Sequence, residues 1–331
     1  MSINFERSVL VTGGTSGLGY ECALVIARKH PNYQIIVASR SDSTSSAKKI
    51  HETLKQENVK FLSLDLSHLV KVRTFASDWE SHNFPPIQSI VLNAALQFPG
   101  DVEYSQDGFE KTFAISHIGH ALLLSLLVPY FADATRVVVV SSGTHDPAQK
   151  SGVPDAIYNS AEELAHPSLQ SVKNDGRQRY SSTKLANVLY TYALDRRLKA
   201  MNKKYGKQWT VTAFDPGLVP GTGLAREYGA IGRFVWSRIL PSIIPLLRLI
   251  ISPNIHTVAE SGGALARLAI DSDVEGSSGV YYEGLKQIKS SEMSYDQQKQ
   301  EDLWQWTVNA LVSSDDLKEG NWKLYELAGP I

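Results

Sequence analysis

Thr12-Gly13-Gly14-Thr15-Ser16-Gly17-Leu18-Gly19 follows the apolar run Val9-Leu10-Val11 and opens onto a helical pattern over residues 19–29. Glycines in such a turn let the chain bend tightly and bring backbone N–H groups close to a ligand. The helix N-terminus that follows is electropositive, so a pyrophosphate suits the arrangement. Gly13, Thr15, Ser16, Gly17, Leu18 and Gly19 are therefore candidate phosphate-binding residues. An ordinary glycine-rich turn has the same composition. The position between a first strand and a first helix is what favours phosphate.

Outward from this turn, short β-branched runs alternate with longer helical patterns. The runs fall at 9–11, 34–38, 60–64, 89–92, 136–140, 210–213 and, late in the chain, 279–282. Several are apolar without alternation, as in strands covered on both faces. Helical patterns lie between them at 19–29, 47–57, 71–81, 109–130 and 180–199. This order predicts an α/β fold with a doubly wound parallel sheet and ligands at the carboxyl ends of its strands. Residues 143–178 look like a polar addition, and 217–253 like an excursion before the last strand that turns strongly apolar.

A chain of 331 residues can bury one large core, so one domain is expected over 1–331, with a core at 8–216, an insertion at 217–253 and a closing part at 254–331. Lys+Arg 33 against Asp+Glu 34 gives no general electrostatic reason to hold nucleic acid. Cys22 is the only cysteine, which rules out an internal disulfide and argues against a thiolate metal cluster. No targeting segment is expected, because a strand-like run begins at Ser8. The apolar run 239–251 holds Pro241, Pro245 and Arg248 and is shorter than the ~20 residues that cross a bilayer. A soluble, cytoplasmic protein is the expectation, with contact to a membrane surface left open.

The end of the second strand bears on which dinucleotide would bind. An acidic residue there suits a free ribose 2′-hydroxyl, and an arginine suits a 2′-phosphate. This chain reads Ala38-Ser39-Arg40, with no carboxylate before Asp42, which points to NADP(H) unless Arg40 is a solvated loop charge. Asp65 ends the third run, where it could reach an adenine, and Asn93 ends the fourth. Each could equally be a turn or capping residue.

Tyr180-Ser181-Ser182-Thr183-Lys184 is the best catalytic candidate. Residues four apart share a helix face, and a nearby ammonium lowers a phenol that otherwise ionises near pH ~10. The spacing recurs at Tyr282–Lys286 and Tyr295–Lys299. Only Tyr180 opens a long helix downstream of a strand ending in Ser141-Ser142, and Ser142 could hydrogen-bond the reacting oxygen. His145 and Asp146 near Ser142 raise a serine hydrolase as the rival, but no Gly-x-Ser-x-Gly elbow is present. His117 and His120 lack metal-helix spacing and an accompanying carboxylate, so no metal site is expected and both read as structural or as pocket wall.

Taken together, Thr12-Gly13-x-x-x-Gly17-x-Gly19, Asp65, Asn93-Ala94-Ala95, Ser142, Tyr180-x-x-x-Lys184 and Pro216-Gly217 resemble the short-chain dehydrogenase/reductase family over residues 8–282. Within it the likeness is to protochlorophyllide reductases and retinol-dehydrogenase-like enzymes, carried by 91–95, His117-Ile118-Gly119-His120, Thr222-Gly223-Leu224-Ala225-Arg226-Glu227 and 278–282. The resemblance implies a Rossmann fold in which Gly13, Gly17 and Gly19 hold the pyrophosphate, with Thr15, Ser16 and Leu18 in the same turn. It gives Arg40 the 2′-phosphate and Asp65, with Leu66, the adenine. Asn93 shapes the cofactor pocket, and Pro216, Gly217 and Thr222 border the nicotinamide. Ser142 polarises the substrate oxygen, Tyr180 exchanges its proton, and Lys184 lowers the tyrosine pKa and binds the nicotinamide ribose. Ser116 stands where relatives carry an asparagine of a proton relay, and Leu92 and Ala186 where the light-driven enzymes carry cysteines.

The apolar stretch 231–251, with Arg233, Arg238 and Arg248 interspersed, has three readings. It could be a lid over a bulky lipophilic substrate, a surface-lying membrane anchor, or a packing element of the core or a homodimer. The function expected is NADPH-dependent hydride transfer to the carbonyl of a steroid-, retinoid- or polyketide-like substrate. Carbon–carbon double-bond reduction, or a non-catalytic NADP(H)-binding regulatory protein, are the alternatives.

Overall fold

Val9, Leu10 and Val11 have no solvent exposure, which is why the first run is apolar without alternation. In the computed structural model, which describes residues 4–223 and 229–311, this run is the strand β1, Arg7–Thr12. The others are β2 (Tyr33–Ser39), β3 (Val59–Ser63), β4 (Ile87–Leu92), β5 (Phe131–Val140), β6 (Thr210–Asp215), β7 (Val280–Glu283) and β8 (Lys286–Ile288). They form one sheet in the order β3-β2-β1-β4-β5-β6-β7-β8. Neighbours are parallel except β7 and β8, which form an antiparallel hairpin. The sequence reading misses β8, because three residues with two exposed carry no strand pattern.

Helices cover both faces, as the doubly wound expectation requires. On one face lie α1 (Gly17–Lys29) and the helix Val258–Ile270, whose Gly262 comes so close to Glu21 that a Cβ there would collide with it. On the other lie α2 (Leu69–Ser81), a central helix (Lys111–Tyr130), a long helix (Gly176–Tyr205) and the helix Gln297–Leu311. Trp304 and Leu303 of that last helix are buried, and the Arg197 guanidinium stacks over Trp304 at 4.0 Å and pairs with Glu301 at 2.6 Å.

The long helix starts at Gly176, one turn before Tyr180. Asp175 caps it by accepting from the Arg177 amide at 2.8 Å, and the glycine lets the helix start against the Phe98 carbonyl. The addition 143–178 supplies short turns and the small helix Ala161–Ala165.

Two helical spans are long and apolar enough to cross a membrane, Lys111–Tyr130 and Ala230–Ile250. The first is mostly buried in the core, whereas the second is mostly exposed. The run 239–251 is too short to cross a bilayer by itself, but the wider apolar stretch 231–251 lies almost wholly in one helical span of 21 residues. Residues Leu224–Glu227 of the family likeness, and everything after 311, lie outside the described residues.

Candidate active site

The order of strands reverses beside β1, with β2 on one side and β4 on the other, and the crevice at their carboxyl ends is where an open α/β sheet receives ligands. Three glycines shape it for different reasons. Gly13 and Gly17 have φ of 65° and 55°, a region L side chains rarely adopt. Gly19 lies against the Gly13 carbonyl, where a Cβ would collide. No side chain caps α1 and no acidic residue occupies its first turn, so the positive helix end is left for an anion.

Thr12 fastens this turn to β4. Its Oγ1 accepts from the Asn93 and Ala94 amides at 2.9 and 3.0 Å, and its carbonyl accepts from Asn93 Nδ2 at 2.8 Å. His120 completes the knot: Nδ1 donates to the Ser116 carbonyl at 3.2 Å, leaving Nε2 to accept from the Thr12 hydroxyl at 2.9 Å. Burial pulls the His120 pKa down to about 4, and the nearby Lys184 charge pulls the same way. His117 is pulled down to about 3 by burial and bonds Thr307 at 2.8 Å. Of the two roles open to them, structural or pocket wall, the first fits: neither histidine lines the cavity beside this turn, and both are buried and hydrogen-bonded.

A cavity of about 750 Å3 runs from this turn across the sheet. Gly13, Thr15, Ser16, Gly17 and Leu18 line one end, while Gly19 is buried beneath the turn. Arg40 lies alongside with Ser41, Ser43 and Thr44. Thr44 Oγ1 donates to the Thr15 carbonyl at 3.2 Å and so holds this hydroxyl-rich loop against the glycine turn. Asp42 is turned to another task, accepting from the Ser46 amide at 2.8 Å at the start of the next helix. Asp65 and Leu66 also line the cavity. Burial would raise the Asp65 carboxyl, but the Ser67 hydroxyl at 2.6 Å and amide at 3.1 Å, with Lys71 and Arg40, hold it below its ordinary value. Asp65 is thus both a turn residue and a wall of the cavity.

Ser142, Tyr180 and Lys184 meet in the same cavity, with Asn93, Pro216, Gly217 and Thr222 around them. Lys184 Nζ stands 5.4 Å from the centre of the Tyr180 ring and donates to the Val140 carbonyl at 3.1 Å. Asn187 donates to that carbonyl too, at 3.0 Å, and Ser141 Oγ donates to the Lys184 carbonyl at 2.7 Å. Burial pulls Lys184 down to about 8, while Asp215 pushes it back up.

The other Tyr-x-x-x-Lys matches are elsewhere. Tyr282 and Lys286 lie on opposite strands of the β7–β8 hairpin, and Tyr295 stacks on Tyr192 with ring centres 5.2 Å apart. His145 cannot serve Ser142 as a base. Its Nδ1 donates to the Ser142 carbonyl at 2.7 Å and its Nε2 accepts from the Ser291 amide at 3.0 Å, so both ring nitrogens are used.

Ser116 lies in a π-helical turn of the central helix, Ala114–Ile118. Its hydroxyl is buried with no hydrogen-bond partner, and the adjacent Ile115, not Ser116, lines the cavity. Sequence reasoning missed Asp215 and Asn254, which also line it. The signal for Asp215 was its place just before Pro216-Gly217 at the end of β6. It also missed that 143–178 contributes Gln149, Lys150 and Val153 to the wall. Trp236, on the exposed helical span, reaches the cavity and donates to the Thr222 carbonyl at 2.9 Å.

Known proteins agree with this arrangement. The short chain dehydrogenase family matches over residues 7–160. The chain is 29% identical over 307 residues to a polyprenol dehydrogenase of Homo sapiens, covering 90% of this chain and 83% of that one. It is 29% identical over 300 residues to retinol dehydrogenase 13 of Homo sapiens, covering 90% and 82%. The solved structure of an uncharacterized protein from Mycobacterium paratuberculosis superimposes with a TM-score of 0.62 at 25% identity, over 93% of this chain and 94% of that one. The glycine turn, the Ser142–Tyr180–Lys184 cluster and these likenesses converge: the chain is an oxidoreductase similar to the short-chain dehydrogenase/reductase family, whose members act on CH–OH and C=O groups with a nicotinamide cofactor.

Proposed function

We propose that this protein is an NADP(H)-dependent reductase of a bulky lipophilic carbonyl compound. The observation that carries the reading is the single cavity that joins Arg40 at one end to Ser142, Tyr180 and Lys184 and then to Trp236. Arg40, with Ser41, Ser43 and Thr44, offers a cation and hydroxyls to a 2′-phosphate, and Asp42 is occupied by its capping bond. The glycine turn and the start of α1 receive the pyrophosphate, and Asp65 faces the adenine.

Bound NADPH supplies a hydride to the carbonyl carbon. Ser142 donates a hydrogen bond to the carbonyl oxygen, and Tyr180 gives that oxygen its proton. Lys184 holds positive charge beside the phenol, which stabilises the phenolate left behind. Ser116 is the candidate to hold a relay water, since its buried hydroxyl lacks a protein partner.

The helical span Ala230–Ile250 supplies the lipophilic side. Trp236 and Ile251 reach the cavity, whereas Ile231, Phe234, Leu249 and Ile250 are exposed. This is the pattern of a lid with a second apolar face that rests on a membrane surface. The names of the polyprenol and retinol dehydrogenases support substrates of this class. The test is NADPH and NADH titration followed by turnover on a panel of long-chain and polycyclic aldehydes and ketones, with retinal and a polyprenal included. Tight NADPH binding without turnover on any carbonyl would overturn the enzymatic reading in favour of a binding protein.

A further inference from the structure

Asp215 ends β6 with no solvent exposure, and it lines the cavity beside Ser142 and Lys184. Its Oδ1 accepts from the Gly217 amide at 2.8 Å and its Oδ2 from Asn254 Nδ2 at 3.0 Å, and the Gly143 amide also donates to it. The glycine at 143 is part of this fit, since a Cβ there would stand 3.0 Å from Asp215 Oδ2. Gly217, with φ of 74°, is packed against Asn254 and His256, where a Cβ would collide. The network has a direction. His256 Nε2 lies 3.0 Å from Asn254 Oδ1, so the histidine donates to the amide oxygen while the amide nitrogen donates to Asp215. Burial raises the Asp215 pKa above the ordinary carboxylate value, while the Gly217 and Gly143 amides and Asn254 Nδ2 converge on the carboxyl and favour its ionised form.

We propose that Asp215 is a positioning residue for this site, clamping the backbone beside Ser142 and serving as the buried counter-charge that keeps Lys184 an ammonium. The proposal rests on the assignment of Ser142, Tyr180 and Lys184 as the reacting cluster. The clamp has two jaws on one short segment. Lys184 Nζ holds the Val140 carbonyl, Asp215 holds the Gly143 amide, and Ser142 lies between them. β5 and β6 are also joined here, with the Ser141 amide donating to the Phe214 carbonyl at 2.7 Å. The Ser142 backbone is therefore fixed on both sides, as a group aimed at a reacting oxygen requires.

The charge argument is separate. Lys184 is 2% exposed, and burial alone works against its ammonium. The groups facing it are the Tyr180 ring, the neutral His120 on the central helix, and Asp215 at the end of β6, of which Asp215 alone carries negative charge when the phenol is protonated. Glu283 and Tyr281 on β7 face Asp215 itself, and His256 reaches it through Asn254. Glu283 adds to burial in pushing the carboxyl towards its protonated form, and the three donors oppose both. Removing the carboxylate would leave only the Val140 carbonyl bond to offset the burial of the lysine.

Asp215→Asn tests this, because it keeps size and shape but removes the charge. Full-length protein labelled with 13C at the lysine side chains is titrated by NMR, and the Lys184 signal is assigned by its loss in Lys184→Met. The Lys184 midpoint should lie near 8 in the wild type and fall by about one unit or more in Asp215→Asn. An unchanged midpoint would overturn the proposal. Asp215→Asn also sets an amide against the Asn254 amide, so Asp215→Asn/Asn254→Asp restores donor-to-acceptor polarity and returns one negative charge a residue away. Its midpoint should lie between the other two; a midpoint equal to that of Asp215→Asn would also count against the counter-charge. The acid limb of NADP+-dependent oxidation of retinol or a polyprenol should move up in Asp215→Asn, since the phenolate loses its support. A purely structural role would lower kcat without moving that limb. If Tyr180→Phe keeps full turnover, the assignment of the cluster fails while the Lys184 titration still reports on Asp215. If Tyr180→Phe is inactive and the Lys184 midpoint is unmoved by Asp215→Asn, the counter-charge alone fails.

Discussion

Lys184 Nζ stands over the Tyr180 ring at 5.4 Å from its centre, and the same ammonium is bonded to the carbonyl that ends β5. The phenol and the cation are thus held in register by the sheet as well as by their four-residue spacing on one helix. Tyr180→Phe keeps the ring and removes the proton carrier. We expect turnover to fall by roughly a hundredfold or more while NADPH affinity stays nearly unchanged. Near-normal activity, measured by steady-state kinetics beside a binding titration, would refute the role of Tyr180.

Ser142 is held between the Val140 and Gly143 bonds and accepts from the Thr144 amide at 3.3 Å, which leaves its hydroxyl proton available for a substrate oxygen. Ser142→Ala should lower kcat by about 10²–10³-fold with a smaller effect on NADPH binding. A change confined to KM would mean that the hydroxyl acts in binding only.

Arg40 lines the cavity where the proposed reading puts a 2′-phosphate. Arg40→Ala should weaken NADPH by roughly ten- to a hundredfold, as the loss of charge-assisted hydrogen bonds would, and leave NADH almost untouched. Equal losses for both cofactors in a fluorescence titration would sink the assignment.

The buried histidines set an acid limit on stability. His117 and His120 have pKa values of about 3 and 4 in the fold against 6.5 unfolded, so the unfolded chain binds more protons below pH 6.5. Their contribution is whole above pH 6.5 and is lost as the pH falls towards 4, at about 1.4 kcal/mol per pH unit for each group. The thermal midpoint should drop across that window, and less steeply in His117→Gln. Parallel curves for the two proteins would show that His117 plays no part.

The exposed face of Ala230–Ile250 holds Ile231, Phe234, Leu249 and Ile250 with Arg233 and Arg238 and no acidic residue. Vesicles containing anionic lipid should sediment the protein, and Ile231→Ser/Phe234→Ser should release it without altering turnover on a short, water-soluble ketone. Retention of this double variant on the vesicles, or self-association that its changes abolish in the absence of lipid, would point to a surface for a second copy instead.

The doubly wound sheet was legible because its strands are buried on both faces and so read as unbroken apolar runs. The clustering of Ser142, Tyr180 and Lys184 was legible because each marks the carboxyl end of a strand or the start of a helix. β8 was not, since a three-residue edge strand leaves no periodicity. Asp215 escaped for another reason. A carboxylate before Pro-Gly reads as a turn residue, and only the folded chain brings it to Gly143 and Asn254 from 72 residues away in one direction and 39 in the other.

The bonds of the last described helix bear on when this protein can finish folding. Arg197 is 1% exposed and meets its carboxylate, Glu301, only when the helix Gln297–Leu311 docks. Until then the long helix that carries Tyr180 and Lys184 holds a guanidinium in want of a partner, a costly thing to bury. His117 in the π turn likewise waits for Thr307. A chain emerging from the ribosome will therefore have made every residue of its reacting cluster about a hundred residues before it can lock them in place. Truncation before residue 297 should yield a protein that binds the cofactor poorly or not at all.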